Sequence, residues 1–145
     1  MKTVRNAPCY RPLPQSARIR VFEAMHEGVL TCSRDTSLDE VAALMADRHV
    51  HCVVVTDDDV NAVWGIVSDL DLVAAASVRD LAEQTADATA ATAALTIGAP
   101  ETLQRAAQLM TEHGATHLVV VDRDHRPVGV LSTLDIARAL SQTEA

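Results

Sequence analysis

The chain has 145 residues, room for one compact domain or two small repeats, and 48% of them are apolar, chiefly Ala, Val and Leu. Only Tyr10, Phe22 and Trp64 are aromatic, which excludes a broad stacking platform for single-stranded nucleic acid. The net charge is −8, and because Lys2, Arg5, Arg11, Arg18 and Arg20 all fall in an acid-free first 20 residues, the remainder is more acidic still and repels phosphate backbones.

No apolar signal segment leads the chain, and no apolar run nears the roughly 20 residues that span a bilayer. Cys9, Cys32 and Cys52 are an odd set without CxxC spacing, so the expectation is free thiols in a cytoplasmic protein, with Cys32 and Cys52 in the core. Neither nucleic acid nor membrane is expected as a partner.

Residues 1–20 hold three of the five prolines and no periodicity; they read as a basic arm, extended at most and packed on its own acidic body. "GVLTC" at 28–32 reads as a short strand. In "SLDEVAALMADRH" at 37–49, Leu38, Val41, Ala42 and Met45 mark one helix face, and Ser37 with Glu40 spells a capping box. "CVVVTD" at 52–57 is a buried strand, "WGIVS" at 64–68 returns as its hairpin partner, and "DLDLVAAASVRDLAEQ" at 69–84 reads as a helix.

The order then repeats. "AALTI" at 93–97 is a strand, and "TLQRAAQLMTEHG" at 102–114 is a helix closed by Gly114. "HLVVVD" at 117–122 and "GVLS" at 129–132 form a hairpin, and "TLDIARALS" is the last helix. Leu38 and Leu103, Met45 and Met110, and Asp57 and Asp122 are each 65 residues apart. Gly65 and Gly129, Ser68 and Ser132, and Asp71 and Asp135 are each 64 apart, so one residue is lost in the hairpin loop. A period this long exceeds those of the common solenoids.

The expected fold is therefore α+β: two β-α-β-β-α repeats packed sheet to sheet with pseudo-twofold symmetry. The helices cover one face of each sheet, and the other face needs the second copy. The boundaries are an arm at 1–20, repeat one at 21–84 and repeat two at 85–145, with a linker at 84–95.

At each hairpin end a Ser stands at the helix N-cap and an Asp three residues on. Open N–H groups and the positive end of the helix dipole suit a phosphate there, and a carboxylate one turn away suits a ribose diol. The same S-x-x-D spacing is also a capping box, in which Ser and Asp satisfy each other's backbone and bind nothing. The turn alone leaves both open.

The element order, the repeat and the doubled G-h-h-[ST]-x-x-D signature ("GIVSDLD" and "GVLSTLD") resemble a tandem pair of CBS domains, a Bateman module, over about residues 21–141. "VFEAM" at 21–25 resembles the lead-in used by that family; "ATAAT" at 88–92 is its degenerate second version. The resemblance implies a stand-alone regulatory module that binds an adenosine-containing ligand, AMP, ADP, ATP or S-adenosylmethionine, with no required cofactor. It implies a first site of His51, Ser68, Asp71, Ala94 and Thr96. It implies a second of Ala24, Val29, Thr116, His117, Ser132 and Asp135. Asp69 near the first site is matched by neutral Thr133 near the second, so the second is expected to bind better. A homodimer and a client protein are the partners implied; a ligand-free dimeric scaffold is the alternative.

No nucleophile–base–orienter set appears, so no catalytic residue is assigned and the chain is not read as an enzyme. His49 and His51 lack a third ligand of convincing spacing, and no metal site is assigned. "DDDVN" at 57–61 mimics a calcium loop, but Ala62 and Ser68 stand where it needs Gly and Glu.

Overall fold

The computed structural model describes residues 13–57, 62–90 and 96–141. The elements in chain order are α1 (Val21–Ala24), β1 (His26–Glu27), β2 (Thr31–Ser33), α2 (Leu38–Arg48), β3 (Cys52–Asp57), β4 (Ala62–Ser68), α3 (Asp69–Ala76) and α4 (Ala86–Thr89). They continue with β5 (Thr96–Gly98), α5 (Leu103–His113), β6 (His117–Val121), β7 (Pro127–Ser132) and α6 (Thr133–Ser141). Two sheets form, ordered β2-β3-β4 and β1-β7-β6-β5. In both, the crossover joins parallel strands (β2 with β3, β5 with β6) and the hairpin is antiparallel.

Strand alternation distributes the core. Val53, Val55 and Val67 face the helices of repeat one, and Leu118, Val120 and Leu131 face those of repeat two. The residues between them, Val54, Val119 and Val121, point the other way and meet in a third cluster with Val29, Val63, Ile66 and Val130. The two sheets thus pack face to face through a valine seam, as a period of two requires when both faces are buried. Each fully buried valine contributes about 1.5–3 kcal/mol of hydrophobic stabilisation.

The lead-ins cross over. Gly28, at φ +80°, turns the chain so that β1 joins the sheet of repeat two while β2 joins the sheet of repeat one. Val21 is fully buried in the second core, and its N–H donates to the Glu101 carbonyl; Phe22 donates to Ala99 and Leu103 to Ile19. The same three bonds recur with the repeats exchanged, each partner displaced by 65 residues: Ala86 donates to Thr36, Asp87 to Arg34 and Leu38 to Gln84. Each repeat's lead-in therefore caps the other repeat, which locks the pair together beyond the seam.

Three expectations are corrected. Residues 13–20 are not an extended arm: Gln15–Ala17 form a 3-10 turn against α5, and Arg18 and Arg20 donate to the carbonyls of Leu13 and Pro100. Residues 1–12 lie outside the described residues. Nor does one helix run over 69–84. α3 stops at Ala76, and the next apolar residue, Val78, is 77% exposed. Ser77 bonds back to the Ala74 carbonyl, and the Gln84 amide donates to those of Ala75 and Arg79. The reversal instead brings Leu81, Ala86 and Ala90 onto the first core. The Ser37–Glu40 capping box also fails to form: the Ser37 hydroxyl donates to the Glu40 carboxylate and accepts from no α2 amide, while the Glu40 N–H donates to Asp39 Oδ1.

Candidate functional site

Both signature turns have the same construction. Ser68 and Ser132 end β4 and β7, and Asp71 and Asp135 sit in the first turns of α3 and α6. The Ser68 N–H donates to Asp71 Oδ2 at 2.8 Å while the Asp71 N–H donates to Ser68 Oγ at 3.2 Å. The second copy repeats this at 2.9 and 3.1 Å between Ser132 and Asp135. One oxygen of each carboxylate is therefore committed to its own helix cap. The helices start beside the middle strands: the Asp69 and Thr133 N–H groups donate to the carbonyls of His51 and Thr116.

A cleft of about 560 Å³, its open mouth included, lies where the repeats meet. The lead-in contributes His26, Gly28 and Leu30; the α2–β3 connection contributes His49, Val50 and His51, and the start of β3 Cys52; repeat two contributes His117, Val130, Ser132 and Asp135. Its lining is mainly apolar with a few convergent polar groups, the composition of a small-molecule site. Asp135 is the one buried carboxylate among the described residues; its Oδ1 lies 3.1 Å from His26 Nδ1.

The electrostatics are acidic. Asp69 pairs with His51 at 3.1 Å, and that hydrogen bond lowers the Asp69 pKa. Burial lowers the His117 pKa, against the attraction of Asp69. Burial pushes the Cys52 thiol up to about 12, with Asp69 and Asp135 adding to the rise, so the thiol is protonated at neutral pH. Cys32 is likewise raised by burial, to about 11. Among the described residues no Lys or Arg lines the cleft, and no group of three or more His, Cys, Asp or Glu is placed to hold a metal ion.

The residues expected from sequence are distributed as follows. Ser132, Asp135 and His117 share the cleft. His51, assigned to the first site with Ser68 and Asp71, bonds Asp69 beside that turn but also lines the cleft with the second-site residues. Thr116 bonds the His117 ring at 3.0 Å from outside the lining. Ala24 packs on the second core, and Val29 lies in the valine seam. Thr96 is exposed at the end of β5, and Ala94 lies outside the described residues. Sequence reasoning missed His26, Gly28 and Leu30. The 65-residue register of the lead-ins was the signal that could have found them.

Comparison with known proteins agrees with this architecture. The CBS domain family matches twice, at residues 21–78 and 87–142. The homoserine O-acetyltransferase of Methanohalobium evestigatum is 26% identical over 124 residues, 84% of this chain, which spans only 24% of that protein's length. The crystal structure of CBSX2 in complex with AMP is 26% identical with a TM-score of 0.68, covering 86% of this chain and 97% of that one. The CBS domain pair of protein MJ0100, in complex with 5′-methylthioadenosine and S-adenosyl-L-methionine, shares the fold with a TM-score of 0.76 at 19% identity, covering 86% of this chain and 98% of that one. No helix among the described residues is long and apolar enough to cross a membrane. With two matched repeats, two face-to-face sheets and crossed lead-ins, the chain belongs to the CBS domain family as a tandem pair.

Proposed function

We propose that this pair is a regulatory module that takes an adenosine-containing ligand in the cleft between its repeats and signals to a protein partner. The observation that carries the reading is the placement of Ser132 and Asp135, at the N-terminal end of α6, in the wall of a cleft built by both repeats. The positive end of a helix dipole favours a phosphate, and a carboxylate accepts from a sugar diol. The AMP complex of a 26% identical relative supports the ligand class. The lack of Lys and Arg among the described lining residues, with Asp69 and Asp135 close by, favours a monophosphate or an uncharged adenosyl group over a triphosphate. A ligand that touches both repeats favours one relative arrangement by its differential affinity for the two. The module acts as a homodimer, as the family resemblance implies.

A ligand-free dimeric scaffold is the second reading. It is favoured by the reciprocal caps, which satisfy one oxygen of each carboxylate internally. Thermal unfolding with adenosine, AMP, ADP, ATP, S-adenosylmethionine and NADH separates the two. Ligand at 100 times its dissociation constant adds roughly 2.7 kcal/mol. The shift should shrink in Asp71→Asn and Asp135→Asn. Unfolding that none of these compounds moves leaves the scaffold.

A further inference from the structure

Four of the chain's six histidines, His26, His49, His51 and His117, line the cleft between the repeats. They come from three separate stretches: the first lead-in, the α2–β3 connection and the start of β6. None has a histidine at the equivalent position 65 residues away, where Ala91, Gly114, Thr116 and Cys52 stand. The fold thus gathers them from non-equivalent positions into one place. Among the described residues they are the only basic side chains of the lining. The charge that the cleft offers an anion is therefore set by their protonation, and imidazole is the side chain that ordinarily changes charge between about pH 5 and 8.

Two of the rings stand beside acids. His51 Nδ1 bonds Asp69 Oδ2 at 3.1 Å; a carboxylate only accepts, so Nδ1 carries the proton and Nε2 is the atom left to titrate. His26 Nδ1 lies within 3.1 Å of Asp135 Oδ1. With a neutral ring, each acid–imidazole pair presents a negative charge and repels a phosphate; with a protonated ring it presents none. Protonation of His49 or His117 adds positive charge to the lining outright. At His117, Asp69, Asp135 and Asp71 favour the charged ring, while burial and His51 oppose it. Cys52, its thiol pushed up to about 12, adds no charge. Glu27 and Arg48 adjoin lining residues in sequence but do not line the cleft themselves.

We infer that the cleft is a proton-linked phosphate site, which takes a nucleoside monophosphate in growing preference to the bare nucleoside as pH falls through the imidazole range. The inference rests on the adenosyl reading above and names the charge of the ligand and what regulates it. A bound phosphate favours protonated rings, so binding takes up protons, and by reciprocity acidification strengthens binding. An uncharged nucleoside gains nothing from the added charge.

Isothermal titration of the full chain with AMP and with adenosine, at about pH 8 and about pH 6.5, tests this. The ratio of the two affinities cancels effects that acidification has on both ligands alike. A phosphate that raises the pKa of one imidazole by about one unit is worth up to about tenfold, so AMP should gain about five- to tenfold over adenosine on acidification. The second pKa of the phosphate itself, about 6, works against this gain and cannot produce it. Replacing the two exposed rings, His26→Gln with His51→Gln, should reduce the gain, and adding His49→Gln and His117→Gln should abolish it. His26 and His51 are 61% and 75% exposed, so their double variant keeps the core and decides the question should the fourfold variant not fold. An AMP-to-adenosine ratio that does not rise on acidification overturns the proton linkage and leaves the adenosyl reading standing. So does a gain that survives undiminished in the fourfold variant, or in the double variant where the fourfold does not fold. If neither compound binds at either pH, both readings fall.

Discussion

His49 and Gly114 end the two long helices at equivalent positions, and both are left-handed, with φ of 55° and 62°. Their N–H groups donate to the carbonyls of Met45 and Met110, so the caps are the same in outline. A side chain pays a steric penalty in this region that glycine escapes. His49→Gly should therefore stabilise the protein by about 1 kcal/mol, raising Tm by about 2–4 °C. Urea denaturation followed by Trp64 fluorescence measures it. An unchanged or lower midpoint would show that His49 makes compensating contacts in the cleft it lines.

Gly129 predicts the opposite sign. Its φ is ordinary, but an added Cβ would collide with the Met25 sulfur and with the His26 carbonyl. Met25 can move; a strand carbonyl cannot do so without breaking the β1–β7 pairing. Gly129→Ala should cost about 1–3 kcal/mol by overpacking. It should also raise amide exchange at the β1–β7 pairing, which distinguishes a displaced lead-in from general loosening. Retained stability with protected β1 amides would refute the close approach.

Much of this was legible in the sequence. The 64- and 65-residue offsets and the alternation in "CVVVTD" and "HLVVV" foretell two sheets sharing a seam. The Ser–Asp spacing foretells both turns, although not what else the carboxylates touch. Periodicity reports which face of an element is apolar, not which neighbour covers it. It could not show that β1 leaves its own repeat at Gly28 to place His26 on Asp135. Nor could it show that α3 stops at Ala76, since "AAASVRDLAEQ" contains no glycine or proline and is rich in Ala, Leu, Arg, Glu and Gln. Tertiary burial of Leu81, Ala86 and Ala90 wins over that propensity.

The pH dependence of stability should carry the signature of His117. Its ordinary pKa is 6.5, and burial lowers it in the fold, partly offset by Asp69. The unfolded chain thus binds the proton more readily than the folded one. His117 contributes stability that is fully present above pH 6.5 and is lost as pH falls through the folded value. Asp69, also lowered, chiefly by its hydrogen bond to His51, contributes in a separate window: present above 3.8 and lost below it. His117→Gln should flatten the limb just below neutrality and leave the more acidic limb in place. Chemical denaturation across this range gives both limbs; an unaltered upper limb would mean that the imidazole stays solvated in the fold.

Self-association should follow from the residues the fold leaves in water. Leu70 is 72% exposed and Leu134 53%, and they are equivalent second residues of α3 and α6. Val73, 66% exposed, lies next to Leu70 on the same helix face, and Phe22, 50% exposed, stands on α1, which packs against α6. The pseudo-twofold relation repeats the apolar position in both halves, so a second copy can meet it with its own equivalent surface, as isologous dimers do. Replacing both leucines by glutamate adds two like charges on each side of such a contact and should convert dimer to monomer. Because both positions face solvent, the monomer's unfolding midpoint should change little, within about 0.5 kcal/mol. Sedimentation equilibrium of the wild type and of L70E/L134E decides it: a wild type that is monomeric at micromolar concentration, or a double variant that stays dimeric, would place the contact elsewhere.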